Sequence, residues 1–232
     1  KVLSARSAKP GLGDERLGSA GATEHWGKQV RALRGIWTKI DAREVVDTPS
    51  GNGDDPRRAS VGVQRSENLR RGPLLGVANL KTSEECWHAA ADGQPLLTHE
   101  RYRQVGRLVN SVLRAEPRPH YLLLPELALP RKWVSSVSNR LLQSGISLVS
   151  GVEYDTRQPG TVRNDAVLAL TDDRLGFGSS VLIFQSKSAP APGEEETLLR
   201  LHSRGWWPPR KPWCLVYRHR GFEFGVLICS EL

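Results

Sequence analysis

Short apolar runs recur from residue 73 onward, and they constrain the fold of this chain more than any other feature. Runs of four to seven apolar residues, bounded by Gly, Pro or polar residues, are typical of strands buried in a sheet. A further pair of runs flanks the turn signal Arg218-His219-Arg220-Gly221 and predicts a hairpin. The predicted strands cover residues 74–80, 121–124, 146–150, 166–170, 181–184, 214–217 and 222–228.

Two helices are predicted between the early strands. Residues 99–116 place Val105, Leu108, Val109 and Val112 on one helical face, and Pro117 follows. A second helix is expected over residues 131–143, where a glycine two residues beyond the end suits a C-terminal cap. Alternation of strands and helices followed by paired strands indicates a layered α/β domain over residues 73–232.

The leading segment, residues 1–72, has a different character. It holds 14 of the 33 Lys and Arg residues against 9 of the 25 Asp and Glu, a net charge of +5, whereas the remainder carries +3. Glycines and the loop signal at residues 48–56 predict a weakly structured basic linker or the tail of a preceding domain. One helix is expected within it, over residues 25–46, and its positive charge makes a nucleic-acid partner conceivable.

The three cysteines, Cys86, Cys214 and Cys229, show neither an even count nor paired short spacing. This argues against a disulfide framework and a zinc site, and it favours reduced thiols in the cytoplasm. The histidines are scattered, so no metal site is predicted. No apolar run reaches the 18 or so residues needed to cross a membrane, and no signal peptide is visible.

The two ends of the sequence suggest a piece of a longer polypeptide. The chain contains no methionine, and it ends at Leu232 directly after an apolar run. Residues 222–232 are expected to form an interior strand, whose further neighbours would come from beyond residue 232.

Three polar residues follow apolar strands, where a buried sheet exposes its ends to a pocket. Glu126 follows residues 121–125, Lys187 follows residues 181–186, and Cys229 follows residues 224–228. Each alone is more often a solvated loop residue or a small buried side chain. Together they suggest a nucleophile with an acid–base group and a cation.

Four motifs in this order resemble the carbon–nitrogen hydrolase (nitrilase/amidase) superfamily. Its strand-end glutamate motif is similar to Leu124-Pro125-Glu126-Leu127, and its Asn-x-Ala step is similar to Asn164-Asp165-Ala166. The lysine motif with its trailing Pro-Gly-Glu resembles residues 185–194, and the nucleophile strand resembles residues 224–232. The sequence after the lysine departs from the family, since it reads Ser-Ala-Pro where apolar and aromatic residues are usual.

The resemblance implies a four-layer α-β-β-α sandwich, present only in its first part, and a Glu126-Lys187-Cys229 triad. Cys229 would be the nucleophile, Glu126 the general base and acid, and Lys187 the cation at the oxyanion. Glu194 or Glu195 would orient Lys187 or the attacking water, and the Ser230 N–H would be a second oxyanion donor. No cofactor is implied; the expected partners are a small-molecule amide, more than a nitrile, and further copies of the chain in a homo-oligomer.

Two alternatives remain open at the sequence level. Residues 205–213 mix tryptophan with basic residues, which fits a loop packed on the core, a lid over the site or a nucleic-acid contact. The whole domain is either a free enzyme or a nitrilase-like assembly or sensing module of a larger protein. The long basic leading segment and the two ends of the sequence motivate the second hypothesis, and nitrilase-like domains fused to bacterial reverse transcriptases in antiphage defence are proteins of that kind.

Overall fold

The computed structural model describes residue 69, residues 72–172, 178–209 and 214–231, and the backbone of two strands at 36–41 and 58–63. The ten strands of these residues are β1 (Ile36–Asp41), β2 (Arg58–Val63), β3 (Leu75–Val77), β4 (Tyr121–Leu129), β5 (Ser147–Asp155), β6 (Thr161–Asp172), β7 (Ser179–Ser186), β8 (Gly205–Trp206), β9 (Cys214–His219) and β10 (Phe222–Phe224). The four α-helices are α1 (Glu84–Ala91), α2 (His99–Arg114), α3 (Val134–Leu142) and α4 (Glu194–His202). Short 3₁₀ turns cover Arg131–Trp133 and Cys229–Glu231.

The strands form a mixed sheet and a smaller second sheet. The large sheet has the order β1-β7-β6-β5-β4-β3, and β8 pairs separately with β6. The pairs β5–β6 and β6–β7 are antiparallel, whereas the pairs β3–β4, β4–β5 and β1–β7 are parallel. The small sheet has the order β10-β9-β2.

Side chains of successive residues point to opposite faces of the large sheet, and each face has its own core. On one face, Leu122 and Leu148 pack with Val105 and Val109 of α2 and with Leu141 of α3. The other face packs against the small sheet through its own set of buried residues: Tyr121, Leu168, Leu170, Ile183, Leu215 and Tyr217. The described residues therefore form a mixed α/β structure with helices on one side of a sheet and strands on the other.

The predicted strands and helices of the central region are confirmed. The apolar runs at 121–124, 166–170 and 181–184 lie within β4, β6 and β7, and the run at 146–150 begins one residue before β5. The two predicted helices correspond to α2 and α3. Gly145 has a φ of 69°, as expected for a left-handed residue after a helix. The hairpin is also confirmed, because β9 and β10 pair antiparallel around Arg220 and Gly221, both with positive φ.

The helix predicted over residues 25–46 is wrong at residues 36–41, which form β1 and pair with β7. Residues 58–63 likewise form β2 and pair with β9. A strand in this position obtains its hydrogen bonds from a partner more than 140 residues away, and local helical spacing does not reveal that partner. The other residues of 1–72, apart from Leu69 and Gly72, lie outside the described part of the chain.

Two strand predictions near the ends also need correction. The strand expected at 74–80 is shorter and lies at a sheet edge, and Leu75 and Val77 are 48% and 77% exposed rather than buried. The strand expected at 222–228 stops at Phe224, because the Val226 carbonyl and the Ile228 N–H bond to side chains instead of a neighbouring strand. Within the described residues β10 pairs only with β9. No helix in the described part of the chain is long and apolar enough to cross a bilayer.

Candidate active site

Glu126 lies where β4 leaves its regular pairing with β5. The register between the two strands shifts between Leu124 and Leu129, and Leu127 adopts a left-handed φ of 55°. Gly151 of β5 faces this irregular turn, where a Cβ atom would come within 2.4 Å of the Glu126 Cα. Only glycine therefore permits the close approach of the two backbones that sets the position of Glu126.

Lys187 follows β7 directly and is almost completely buried, with 1% of its side chain exposed. Its N–H donates to the Asn164 carbonyl at 2.8 Å, which extends the β6–β7 pairing by one residue. The Lys187 Nζ lies 3.1 Å from the Glu126 Oε1 and 3.0 Å from the Glu194 Oε2. Two sequence-predicted residues, Glu126 and Lys187, are thus in direct contact.

The surroundings of Lys187 fix its charge. Burial lowers the pKa of this lysine, but its hydrogen bonds to Glu194 and Glu126 outweigh the burial, and the pKa is raised above its ordinary value. Lys187 is consequently a permanent cation at neutral pH. It is suited to hold charge, and unsuited to accept a proton.

Glu194, the first residue of α4, is the carboxylate that orients Lys187. Its Oε2 also accepts from the Ala191 N–H at 2.7 Å, and its Oε1 accepts from the Tyr154 hydroxyl at 2.6 Å. Burial and the bond to Glu194 both raise the pKa of Tyr154, so this hydroxyl stays a donor. Glu195 instead accepts from the backbone N–H of Trp206 at 3.4 Å. Of the two glutamates that the sequence offered as partners of Lys187, the structure places Glu194 in contact with it.

Asn164 forms the other support of Glu126. This fully buried side chain donates from Nδ2 to the Glu126 Oε1 at 2.5 Å. Both Asn164 and Lys187 bond to the same oxygen, and the Glu126 Oε2 has no hydrogen-bond partner among the described residues. That oxygen is the one available for proton exchange with a bound molecule.

The residue after Asn164 anchors the strand that carries it. Asp165 is fully buried, bonds to the Arg163 Nε at 3.0 Å and forms an ion pair with Arg131. The Arg131 guanidinium also lies 4.6 Å from the centre of the Phe184 ring on β7. The Arg163-Asn164-Asp165 segment therefore directs one polar side chain to Glu126 and ties its neighbours to adjacent elements.

Cys229 is exposed and begins the 3₁₀ turn after the small sheet, with a left-handed φ of 52°. Cys229 and Glu126 line the same cavity of about 490 Å³, whereas Lys187 is not among the lining residues and contacts Glu126. Positive φ in a residue other than glycine costs roughly 1–3 kcal/mol and often marks functional sites. The side chain of Ser230 lies outside the described part of the structure.

Sequence reasoning missed the role of Glu231, which was read only as part of the nucleophile motif. Its carboxylate accepts from the Ser188 N–H at 2.5 Å and from the Ile228 N–H at 2.9 Å. One side chain thus joins the residue after Lys187 to the residue before Cys229. The one feature of the sequence that could have indicated this role is the position of an acidic residue two places after the cysteine.

The tryptophan-rich segment packs on the core in its described part. Trp206 is 9% exposed, pairs through β8 with β6, and lies with its ring centre 5.9 Å from the Lys187 Nζ. Arg163 stacks on the neighbouring Trp207 at 4.5 Å. Of the three readings, packing is confirmed for residues 205–207, while residues 210–213 lie outside the described chain.

Comparison with known proteins gives no match of any kind: no protein-family model, no curated protein and no solved structure is matched by this chain. The family resemblance therefore depends on the four sequence motifs alone.

Proposed function

We propose that this chain is a carbon–nitrogen hydrolase that cleaves amides through a thioester on Cys229. The observation that carries the proposal is the buried contact between the Lys187 ammonium and two carboxylates, with Glu126 facing the cavity that Cys229 lines. A buried cation between two carboxylates is costly to assemble, and such arrangements concentrate at functional sites.

The proposed reaction divides between the three residues. Glu126 takes the Cys229 proton, and the thiolate adds to the amide carbonyl to give a tetrahedral oxyanion. The Lys187 ammonium lies behind Glu126 and outside the cavity lining, and its positive charge favours the oxyanion electrostatically without touching it. The oxyanion collapses as Glu126 returns the proton to the departing nitrogen. Water then attacks the thioester with Glu126 again as base, which releases a carboxylic acid and regenerates the thiol.

The supporting residues keep these groups in place. Asn164 and Lys187 hold one oxygen of Glu126, so the other remains free to exchange the proton. Glu194 holds Lys187 from the opposite side, and Tyr154 holds Glu194. Positioning of this kind contributes to rate because catalytic groups need no reorganisation during the reaction.

The test is ammonia release from simple primary amides by the full chain and by Cys229→Ala. We expect the substitution to reduce kcat by at least about 10³-fold, because it removes the nucleophile. Cys86→Ala, which changes a half-buried thiol outside this cavity, is the matched control and should retain activity. Mass spectrometry of the quenched reaction should show an acyl adduct on Cys229 alone.

The same experiment separates the enzyme from the alternative of an assembly or sensing module. A module keeps the fold and the Lys187 contacts but releases no ammonia from any amide and forms no adduct. Equal activity of the wild-type chain and Cys229→Ala would refute the thioester route.

A further inference from the structure

The cavity beside Glu126 and Cys229 is lined mostly by apolar side chains. It has a volume of about 490 Å³ and lies between the β3–β4–β5 edge of the large sheet and residues 222–228. Aliphatic and aromatic side chains from these elements line it, among them Leu75, Leu123, Val149, Phe222, Phe224 and Val226.

The polar groups along the walls are already satisfied within the protein. The Tyr121 hydroxyl lies 2.5 Å from the His219 Nδ1, and the Ser150 hydroxyl donates to the Gly151 carbonyl at 2.8 Å. The Val226 carbonyl accepts from the Gln185 Nε2 at 2.7 Å. The Glu126 Oε2 is left as a side-chain atom of the lining that has no hydrogen-bond partner among the described residues.

The charges of the lining residues also restrict which substrates the cavity can bind. Among the described residues that line the cavity there is no lysine, arginine or histidine, and the only formal charge is the Glu126 carboxylate. Lys187 is committed to Glu126 and Glu194 and is not part of the lining. A carboxylate or phosphate on the substrate would lose its hydration here without a compensating partner, and Glu126 would repel it.

We infer that the cavity binds the acyl part of an uncharged amide whose acyl group is an aliphatic chain or an aromatic ring. This inference rests on the proposed function, since it assigns the cavity to the substrate of Cys229. The acyl group would lie along Leu75, Val149 and Phe224, with its carbonyl carbon at Cys229 and its nitrogen beside Glu126.

The first test compares acetamide, butanamide, hexanamide and adipamic acid, which is the six-carbon monoamide with a terminal carboxylate. Burial of a methylene contributes ~0.8 kcal/mol, so kcat/KM should rise about fourfold per methylene along the uncharged series. Adipamic acid should be at least about tenfold poorer than hexanamide. A flat series, or a preference for the carboxylate, would overturn the inference and leave the thioester route intact.

A charge substitution at the cavity provides the matched comparison. Leu75 is 48% exposed on an edge strand, so Leu75→Lys should fold, and it places a cation beside the acyl group. It should lower kcat/KM for hexanamide and raise it for adipamic acid, each by at least fivefold. Leu199→Lys makes the same change at a 52% exposed leucine on α4 outside the cavity, and it should change neither value.

If the wild-type chain hydrolyses no amide, the inference is tested by binding instead of turnover. Calorimetric titration then measures how tightly the Cys229→Ala chain binds each of the three compounds acetamide, hexanamide and adipamic acid. Hexanamide binding tighter than both acetamide and adipamic acid supports the apolar cavity even though the proposed function has failed. Equal or absent binding of the three compounds would show that the cavity does not select an acyl group.

Discussion

Among single residues, Lys187 links the folded structure to the proposed chemistry. It is the buried positive charge between Glu126 and Glu194, and the pKa of Lys187 is raised by those contacts in spite of its burial. A group whose folded pKa lies above its unfolded value of about 10.5 stabilises the protein at every pH below that value. The stabilisation disappears as the pH rises through the folded pKa.

Lys187→Met should therefore destabilise the chain by about 3 kcal/mol at pH 8, because two carboxylates then share a largely buried site without a cation. Urea unfolding followed by circular dichroism measures this difference. The gap between wild type and variant should narrow above about pH 10.5, since the wild-type lysine then loses its advantage. Lys132→Met, at an exposed lysine, is the control and should unfold like wild type at both pH values.

At the scale of elements, the junction between β4 and β5 determines where Glu126 lies. The irregular turn at residues 125–128 fits against Gly151 with no space for a Cβ, since the nearest backbone atoms would be 2.4 and 2.6 Å away. A methyl group there must push Glu126 away from Lys187 and Asn164.

Gly151→Ala should cost about 1–3 kcal/mol of stability through overpacking. It should also reduce kcat roughly 100-fold, because a displacement of about 1 Å is enough for such a loss. Amide turnover and thermal unfolding of the purified variant measure the two effects. Gly106→Ala, in the middle of α2 with no atom near its Cβ, should leave turnover unchanged and stabilise slightly. Normal turnover in Gly151→Ala would mean that this contact does not position Glu126.

The elements that were predictable from sequence are those with a strong local pattern. The four central strands are continuous apolar runs, and α2 carries a clear apolar stripe with Val105 and Val109 buried. Helix α1 was missed because it spans only eight residues, although Ser83 caps it and Glu84 begins it. Of the site, the position of Lys187 directly after β7 was predicted correctly, whereas Glu126 lies within β4 and not after it. The contact between the two side chains is observed. The choice of Glu194 over Glu195 was not predictable, because it depends on how α4 packs against β8 and α1.

For the whole molecule, the two strands from the leading segment close the edges of two sheets. β1 covers β7 in the large sheet, and β2 covers β9 in the small one. An uncovered strand edge offers unpaired N–H and C=O groups to other chains. Residues before position 73 are therefore part of the folded structure where they form these strands.

A shortened chain beginning at residue 73 should lose solubility or associate, and its unfolding midpoint should fall. Size-exclusion chromatography with light scattering and a thermal melt, each run beside the full chain, measure this. A chain beginning at residue 36 retains both strands and is the control for loss of length. An unchanged midpoint in the shorter chain would favour the sequence-based reading of residues 1–72 as a linker.

The double hydrogen bond of Glu231 has a consequence for the amide hydrogens of the two segments that it joins. The Ser188 and Ile228 N–H groups depend on one carboxylate, although 40 positions separate them along the chain. Exchange with deuterated water requires each group to be released, and release of that side chain frees both together. Their exchange rates should therefore rise and fall in step whenever a molecule bound at Cys229 tightens or loosens the turn, so that Ser188 reports on occupancy at a residue it does not touch.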